Sequence, residues 1–412
     1  MPWPKVDPEE SFPFKMAAAL CSPMTSSLFP PSPAPAPSPP PATLAGVDPA
    51  PAPPKPSGAT PRSLVAVVRV AFEAKCSDVH LGVGEEPRLR FRGDMQMTDW
   101  PITTGEQFTG WLEEILAPGD RQAFQDEKEY DGSHAFSFVR VRINLFESLL
   151  GPAMVLRLIP FEVPTLEDLD LPEVFKSLLN YTKGLILMTG PTGCGKTTTL
   201  AAMINWMNIT QTKHILTIED PVEFVHPSKS CLVHQREIGH HTKMFSIALR
   251  AALREDPDVL LIGEIRDHET LSTALEAAQT GHLVFGTLHT NSAVKTVERI
   301  LGMFPAEDQK LIRANVAESL LAVISQGLLK STDGGRVAYH DIFINTDACR
   351  DYLLRSEFDQ VEEIMKRSSF EGMQTLNQSL LELVTRGKVS EEDALAVSLK
   401  RGELSQALRG RE

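Results

Sequence analysis

The hydrophobic positions change their spacing along the chain, and each change marks a boundary. Residues 64–72 carry apolar side chains at helical spacing, 77–81 and 88–91 alternate as strands, and 108–116 returns to the helical period. Strands are predicted next at 135–138, 139–146 and 153–158, which makes residues 62–159 a small α+β domain. A helix starting at Leu171 leads into Leu185, Ile186, Leu187 and Met188, an uninterrupted apolar run of the kind a fully buried strand needs. Beyond it, predicted strands at 213–218, 259–262 and 283–287 alternate with predicted helices at 243–254, 269–278 and 294–300. Such alternation implies a mostly parallel sheet with helices on both faces, an α/β core over residues 171–345. From Ala306 the spacing is largely helical apart from a strand at 337–344, and 346–412 reads as a helical C-terminal region.

Pro, Ala and Ser dominate residues 1–61, where more than half of the 31 prolines lie. A stretch so poor in backbone donors and apolar mass cannot build a core, so a disordered, proline-rich tail is expected there. Pro160 and Pro164 bracket a second break and, with the acidic residues after them, suggest a linker at 160–170. The formal net charge of −14 argues against broad, sequence-independent nucleic-acid binding. Five cysteines, none two or three residues from another, suit reduced thiols better than a disulfide framework or a zinc clip. No apolar run approaches the ~18 residues of a membrane span. A cytoplasmic protein without direct membrane insertion is therefore expected.

The break after Met188 carries the strongest chemistry. Gly190, Pro191, Thr192, Gly193, Cys194, Gly195, Lys196 and Thr197 fit Gly-x-x-x-x-Gly-Lys-Thr at every position. Thr198 follows, and a helical pattern runs on through Leu200, Met203 and Trp206. Strand, glycine-rich loop and helix is the order in which successive amides and the positive end of a helix face an anion. In that setting Lys196 meets the β- and γ-phosphates of a nucleotide, and the Thr197 hydroxyl meets Mg²⁺. Cys194 fills a variable slot and contributes mainly its amide.

Phosphate chemistry also calls for an acid near water. The apolar run 259–262 closes with Gly263 and Glu264, which makes Glu264 the first choice for orienting or deprotonating an attacking water. Glu219 closes a second apolar run and is a candidate for holding Mg²⁺ through water. Either acid alone would also serve as a cap for the next helix. His282 precedes a predicted strand and His289 follows it; at ~3.3 Å per residue they stand too far apart to share one metal. His289 leaves on the same sheet edge as the acids, placed to sense a γ-phosphate. In the smaller domain the period of two puts Arg140 and Arg142 on one strand face, with Arg157 on the next strand. By themselves these guanidinium groups suit a solvated face paired with carboxylates.

In this order and spacing, the residues resemble the secretion ATPase superfamily, and within it the type IV pilus retraction ATPases, over about residues 63–408. The resemblance rests on the phosphate loop, the acidic box Thr217 to Phe224, the run Leu253 to Asp258 leading into Gly263 to Asp267, and the histidine box Thr280 to Asn291. It implies a PAS-like N-terminal domain joined to a RecA-like core and closed into a homohexamer. That ring would use ATP and Mg²⁺ to power pilus retraction and twitching motility, at the cytoplasmic base of the pilus machine on the inner membrane. The resemblance also implies that Arg142 and Arg157 close onto the phosphates, that Glu264 is catalytic, and that Glu219, His282 and His289 are the matching acidic-box and histidine-box residues. Implied partners are the inner-membrane pilus platform protein and related pilus motor ATPases. Extension and type II secretion ATPases of the superfamily usually carry a four-cysteine zinc element, and the sequence has none. Residues 369–380 also look like a retraction motor. The helix Ala348-Cys349-Arg350-Asp351-Tyr352-Leu353 departs from the retraction pattern Ala-Ile-Arg-Asn-Leu-Ile at its asparagine, which keeps an auxiliary retraction motor as the alternative.

Overall fold

The computed structural model describes residues 61–91, 94–159 and 162–410. The segment expected to form a proline-rich tail lies outside the described residues, Pro61 excepted. The smaller lobe runs α1 (Leu64–Glu73), β1 (Asp78–Gly82), β2 (Arg88–Phe91), β3 (Asp94–Met97), α2 (Gly105–Ile115), α3 (Pro118–Glu127), β4 (Glu129–Ala135), β5 (Arg140–Ser148) and β6 (Gly151–Ile159). Its six strands form an antiparallel sheet in the order β3-β2-β1-β6-β5-β4. Val67 and Val68 of α1 and Phe108 and Trp111 of α2 pack on Val79, Val141, Ile143 and Leu156, one residue in two along each strand. The indole N–H of Trp111 donates to the Arg62 carbonyl at 3.1 Å, so the large buried ring leaves no polar atom stranded.

One strand of this lobe lies elsewhere than the sequence pattern suggests. Residues 136–139 form the turn between β4 and β5, closed by Phe136 N–H donating to the Val139 carbonyl. The preceding Glu129–Ala135 is the strand. Its polar side chains Asp131 and Ser133 hid it, because they face the arginines of β5 rather than a core.

The larger lobe begins with α4 (Val174–Leu178), β7 (Gly184–Thr189), α5 (Lys196–Thr210), β8 (His214–Glu219), β9 (Leu232–Glu237), α6 (Phe245–Ala252) and β10 (Val259–Ile262). It continues with α7 (His268–Gln279), β11 (Leu283–Leu288), α8 (Ala293–Gly302), α9 (Gln309–Ser319), β12 (Leu320–Lys330) and β13 (Arg336–Ile344). Seven strands form one sheet, β13-β12-β7-β11-β10-β8-β9, parallel except for the β12–β13 pair. Leu185 and Leu187 of β7 face the layer built by α6, α7, α8 and α9, while Ile186 and Met188 face α4 and α5. Burial on both faces is why these strands read as unbroken apolar runs.

The helical reading after Ala306 is corrected at β12, an eleven-residue strand where a helix was expected. The run Leu320, Leu321, Ala322, Val323 and Ile324 follows α9 directly, and an unbroken apolar run suits a buried helix and a buried strand alike. Pairing with β7, which places Ile324 opposite Met188, decides for the strand. Strand β9 escaped notice for the opposite reason. It is a polar edge strand whose sequence, Leu-Val-His-Gln-Arg-Glu, has little apolar periodicity.

Helices α10 (Asp347–Arg355), α11 (Phe358–Arg367), α12 (Leu376–Thr385), α13 (Glu391–Val397) and α14 (Arg401–Arg409) complete the described chain. Helix α12 opens with a capping box between Thr375 and Gln378 and packs Leu380 and Leu383 with Leu404 of α14 and Leu329 of β12. No helix among the described residues is long and apolar enough to cross a membrane.

The two lobes meet at an ion pair. Arg140 on β5 reaches Glu237 at the end of β9 at 3.0 Å, and the Glu237 side chain is only 3% exposed. A buried carboxylate stripped of its cation is costly. Arg140→Met is therefore expected to lower the unfolding free energy by roughly 3 kcal/mol. Denaturant titration checks this, and a loss under about 0.5 kcal/mol, the range of an ordinary surface substitution, would count against it.

Candidate active site

Four parallel strands deliver their C-terminal ends to one edge of the larger sheet. The register pairs Thr189 with Leu288 and sets Ile262 beside both Ile218 and Gly286. The phosphate loop after β7, Glu219 at the end of β8, Glu264 after β10 and His289 after β11 consequently emerge together. In open α/β sheets this carboxyl edge is where ligands bind.

The glycines of the loop answer to different constraints. Gly190 has φ +136°, and a Cβ there would sit 2.2 Å from the Gln326 carbonyl oxygen. Gly195 has φ +86°, and its Cβ would come within 3.1 Å of the Gln326 amide nitrogen. Gly193 has open space around it and is needed for its φ of +80° alone. Lys196, buried at the start of α5, donates its ammonium to the Gly190 carbonyl at 2.8 Å and the Pro191 carbonyl at 3.1 Å. Those bonds draw the loop's carbonyls to the lysine.

A cleft of about 1210 Å³ opens beside the loop. Thr192, Gly193, Gly195, Lys196, Thr197 and Thr198 line it together with Glu219, Glu264 and His289, and the smaller lobe adds Arg142 and Arg157. Gly190, Pro191 and Cys194 belong to the same loop but do not line the cleft. His282 is set apart. It stands at the far end of β11 from His289, where its ring nitrogen Nδ1 bonds the Ala277 carbonyl at 3.0 Å beside the C-terminus of α7.

Within the cleft the charged groups are tightly partnered. Glu264 is gripped at both oxygens, by Arg266 at 2.6 Å and by His289 Nε2 at 3.0 Å, and the Arg266 bond foremost holds its carboxyl below the usual range. Arg266 also lines the cleft; it lies inside the run Gly263 to Asp267, yet nothing in the sequence alone marked it. Glu219 is nearly enclosed, and burial pushes its pKa up to about 7 despite hydrogen bonds from Thr217 at 2.6 Å and Gln235 at 3.1 Å. Arg142 and Arg157 face each other across β5 and β6. Asp131 grips Arg142 at both carboxylate oxygens, and Asp78 lies 3.0 Å from Arg157. Gln326, on the strand that the sequence pattern hid, bonds the loop from behind at the Cys194 carbonyl.

A phosphate loop at the carboxyl edge of a parallel sheet, an acid on a neighbouring strand end, and an α+β lobe supplying arginines define a P-loop protein of the secretion ATPase class. The family described as "Type II/IV secretion system protein" matches residues 55–352. The type IV pilus retraction ATPase PilT of Pseudomonas aeruginosa is 47% identical over 328 residues, covering 79% of this chain and 95% of that protein. A twitching motility protein of Neisseria gonorrhoeae is 48% identical over 310 residues, covering 75% of this chain and 83% of that protein. Among solved structures, the crystal structure of the pilus retraction motor PilT with bound ADP aligns with a TM-score of 0.79 at 41% identity, covering 84% of this chain and 99% of that one. The chain belongs to the type II/IV secretion system protein family, on its branch of pilus retraction ATPases.

The buried acid gives a test by pH. Between about 4.5 and about 7 the folded chain holds a proton on Glu219 that the unfolded chain has released. Stability from this group is thus complete below about 4.5 and is lost as pH rises through about 7. In the absence of nucleotide and magnesium, Glu219→Gln is expected to melt progressively higher than the parent as pH rises across that window, with the difference levelling off above it. Parallel melting curves at every pH would show that Glu219 ionises as freely in the folded chain as in the unfolded one.

Proposed function

We propose that this chain is the ATP-hydrolysing subunit of a homohexameric motor that powers type IV pilus retraction, and hence twitching motility. The observation that carries the reading is the single cleft in which the phosphate loop, Glu264 and the arginines of the other lobe meet. Amides of the loop and Lys196 hold the triphosphate. The Thr197 hydroxyl offers Mg²⁺ a hard oxygen donor, Glu219 would hold the metal through water, and the metal would neutralise developing phosphate charge.

Glu264 works through orientation more than basicity. Arg266 holds it ionised and makes it a weak base. A loose phosphoryl-transfer transition state draws little on proton abstraction, so a fixed carboxylate that aligns the water suffices. His289, bonded to the other oxygen, holds that carboxylate in place and stands ready to register the γ-phosphate. Arg142 and Arg157 exchange Asp131 and Asp78 for phosphate oxygens when the lobes close, and hydrolysis reverses the exchange. His282 does not line this cleft, so any part it takes would be played from the opposite end of β11.

The ring would dock on the inner-membrane platform protein of the pilus from the cytoplasmic side, alongside related pilus motor ATPases. An auxiliary retraction motor is the second reading, favoured by Asp351 where the retraction pattern has asparagine. Lys196→Ala is expected to abolish ATP binding. Glu264→Gln is expected to keep binding and lower steady-state phosphate release at least 100-fold, the scale of losing a group that acts in the transition state. Parental turnover in Glu264→Gln would refute its role. In cells, deletion of the gene should leave many pili without twitching; loss of pili would instead point to an extension motor.

A further inference from the structure

Gln326 is 2% exposed, and hydrogen bonds engage both ends of its amide. Nε2 donates to the Cys194 carbonyl at 2.7 Å, while Oε1 accepts from the Thr199 hydroxyl at 2.9 Å and lies 3.2 Å from His340 Nε2. One amide orientation satisfies this set, because a carbonyl can only accept and the Thr199 hydroxyl here donates. Burial drives His340 down to about 4, so its ring is neutral and the proton on Nε2 is the one Gln326 accepts. The ring rests edge-on against Phe175, and the His340 amide donates to Ser379 of α12 at 3.0 Å. Gln326 and Thr199 lie at the cleft wall, while His340 holds the glutamine from the strand behind it, so the amide is fixed from both sides.

Resting on the nucleotide-binding reading above, we infer that Gln326 is a positioning residue for nucleotide: it sets the plane of the Cys194–Gly195 peptide so that the Gly195 N–H is aimed at the phosphates. In a trans peptide the C=O and the following N–H point in opposite directions across a rigid plane. Pinning the Cys194 carbonyl to Gln326 sends the Gly195 N–H the other way, and Gly195 lines the cleft where Cys194 does not. Gly195 has a φ of +86° that favours glycine, and the same amide would crowd a Cβ there at 3.1 Å. An amide that rotates freely must be reorganised each time a phosphate binds; one already anchored costs nothing further.

This bond serves ground state and transition state alike, so its loss should appear in KM and leave kcat alone. Damage to the fold would do the reverse, reducing the active fraction while the surviving molecules keep their KM. In the full-length protein, Gln326→Ala is expected to raise KM for ATP about tenfold, the scale of one hydrogen bond to a charged ligand. It should raise Kd for ADP by the same factor, with kcat within twofold of the parent. Thr199→Val removes one donor that orients Gln326 and is expected to raise KM about threefold at unchanged kcat. It supplies the same test should Gln326→Ala fail to fold. Parental KM and ADP affinity in the folded variants, or a fall in kcat with KM unmoved, would overturn the inference while leaving the ATPase reading intact. A parent chain that binds neither ATP nor ADP would overturn both.

Discussion

A loop that offers its amides to an anion must first dispose of its carbonyls. Here four of them are held by the protein: Gly190 and Pro191 by the Lys196 ammonium, Cys194 by the Gln326 amide, and Gly195 by the Thr199 N–H as α5 begins. With the oxygens turned away, the N–H groups are left to converge, and the positive end of a 15-residue helix stands behind them. The arrangement dictates much of the surrounding sheet. β12 has to run beside β7 in parallel to bring Gln326 under the loop, and the close approach of its backbone to Gly190 admits no side chain there. The β13 and α12 contacts to Gln326 through His340 extend the same support into the C-terminal helices.

What the sequence disclosed, and what it concealed, follows from whether a residue's role is local. The phosphate loop could be read because its constraints are carried by consecutive residues: the glycines, the lysine and the hydroxyl act through their own backbone and immediate neighbours. The parallel core could be read because burial on both faces writes itself as apolar runs at 185–188 and 259–262. Gln326 was hidden because its partners lie 132 and 127 residues away, at Cys194 and Thr199, and because β12 looks like a helix until β7 is beside it. Arg142 and Arg157 illustrate an intermediate case. Alternation gave the face of Arg142, but only the pairing of β5 with β6 set Arg157 beside it, and only the three-dimensional fold brought both to the cleft that the phosphate loop also lines. The separation of His282 from His289 was legible as well, because the two histidines flank one apolar run whose length alone sets them at opposite ends of the strand.

An acidic chain can bind a polyanion if its positive charge is concentrated where the anion sits. Lys196, Arg142, Arg157 and Arg266 all reach the same cleft in a protein of net charge −14. Like charges opposed across two strands repel, and the Arg142–Arg157 pair is tolerated because Asp131 and Asp78 flank it. Those ion pairs, each with one member open to solvent, hold the arginines in position at the cleft and add little to stability.

The same strand that presents an arginine to the cleft also anchors the lobe. Arg140 and Arg142 are two residues apart on one face of β5, hence about 7 Å apart at the backbone. The first is held by buried Glu237 of the larger lobe, and the second by the more exposed Asp131 of its own lobe at the cleft. The lobe's anchor at Arg140 and the cleft residue Arg142 therefore share one strand face, and Arg157 stands across from Arg142 on β6. Because the six strands are hydrogen-bonded in one continuous sheet from β3 to β4, the cleft arginines and the Arg140 anchor are tied to the whole of the smaller lobe rather than to a loose segment of it.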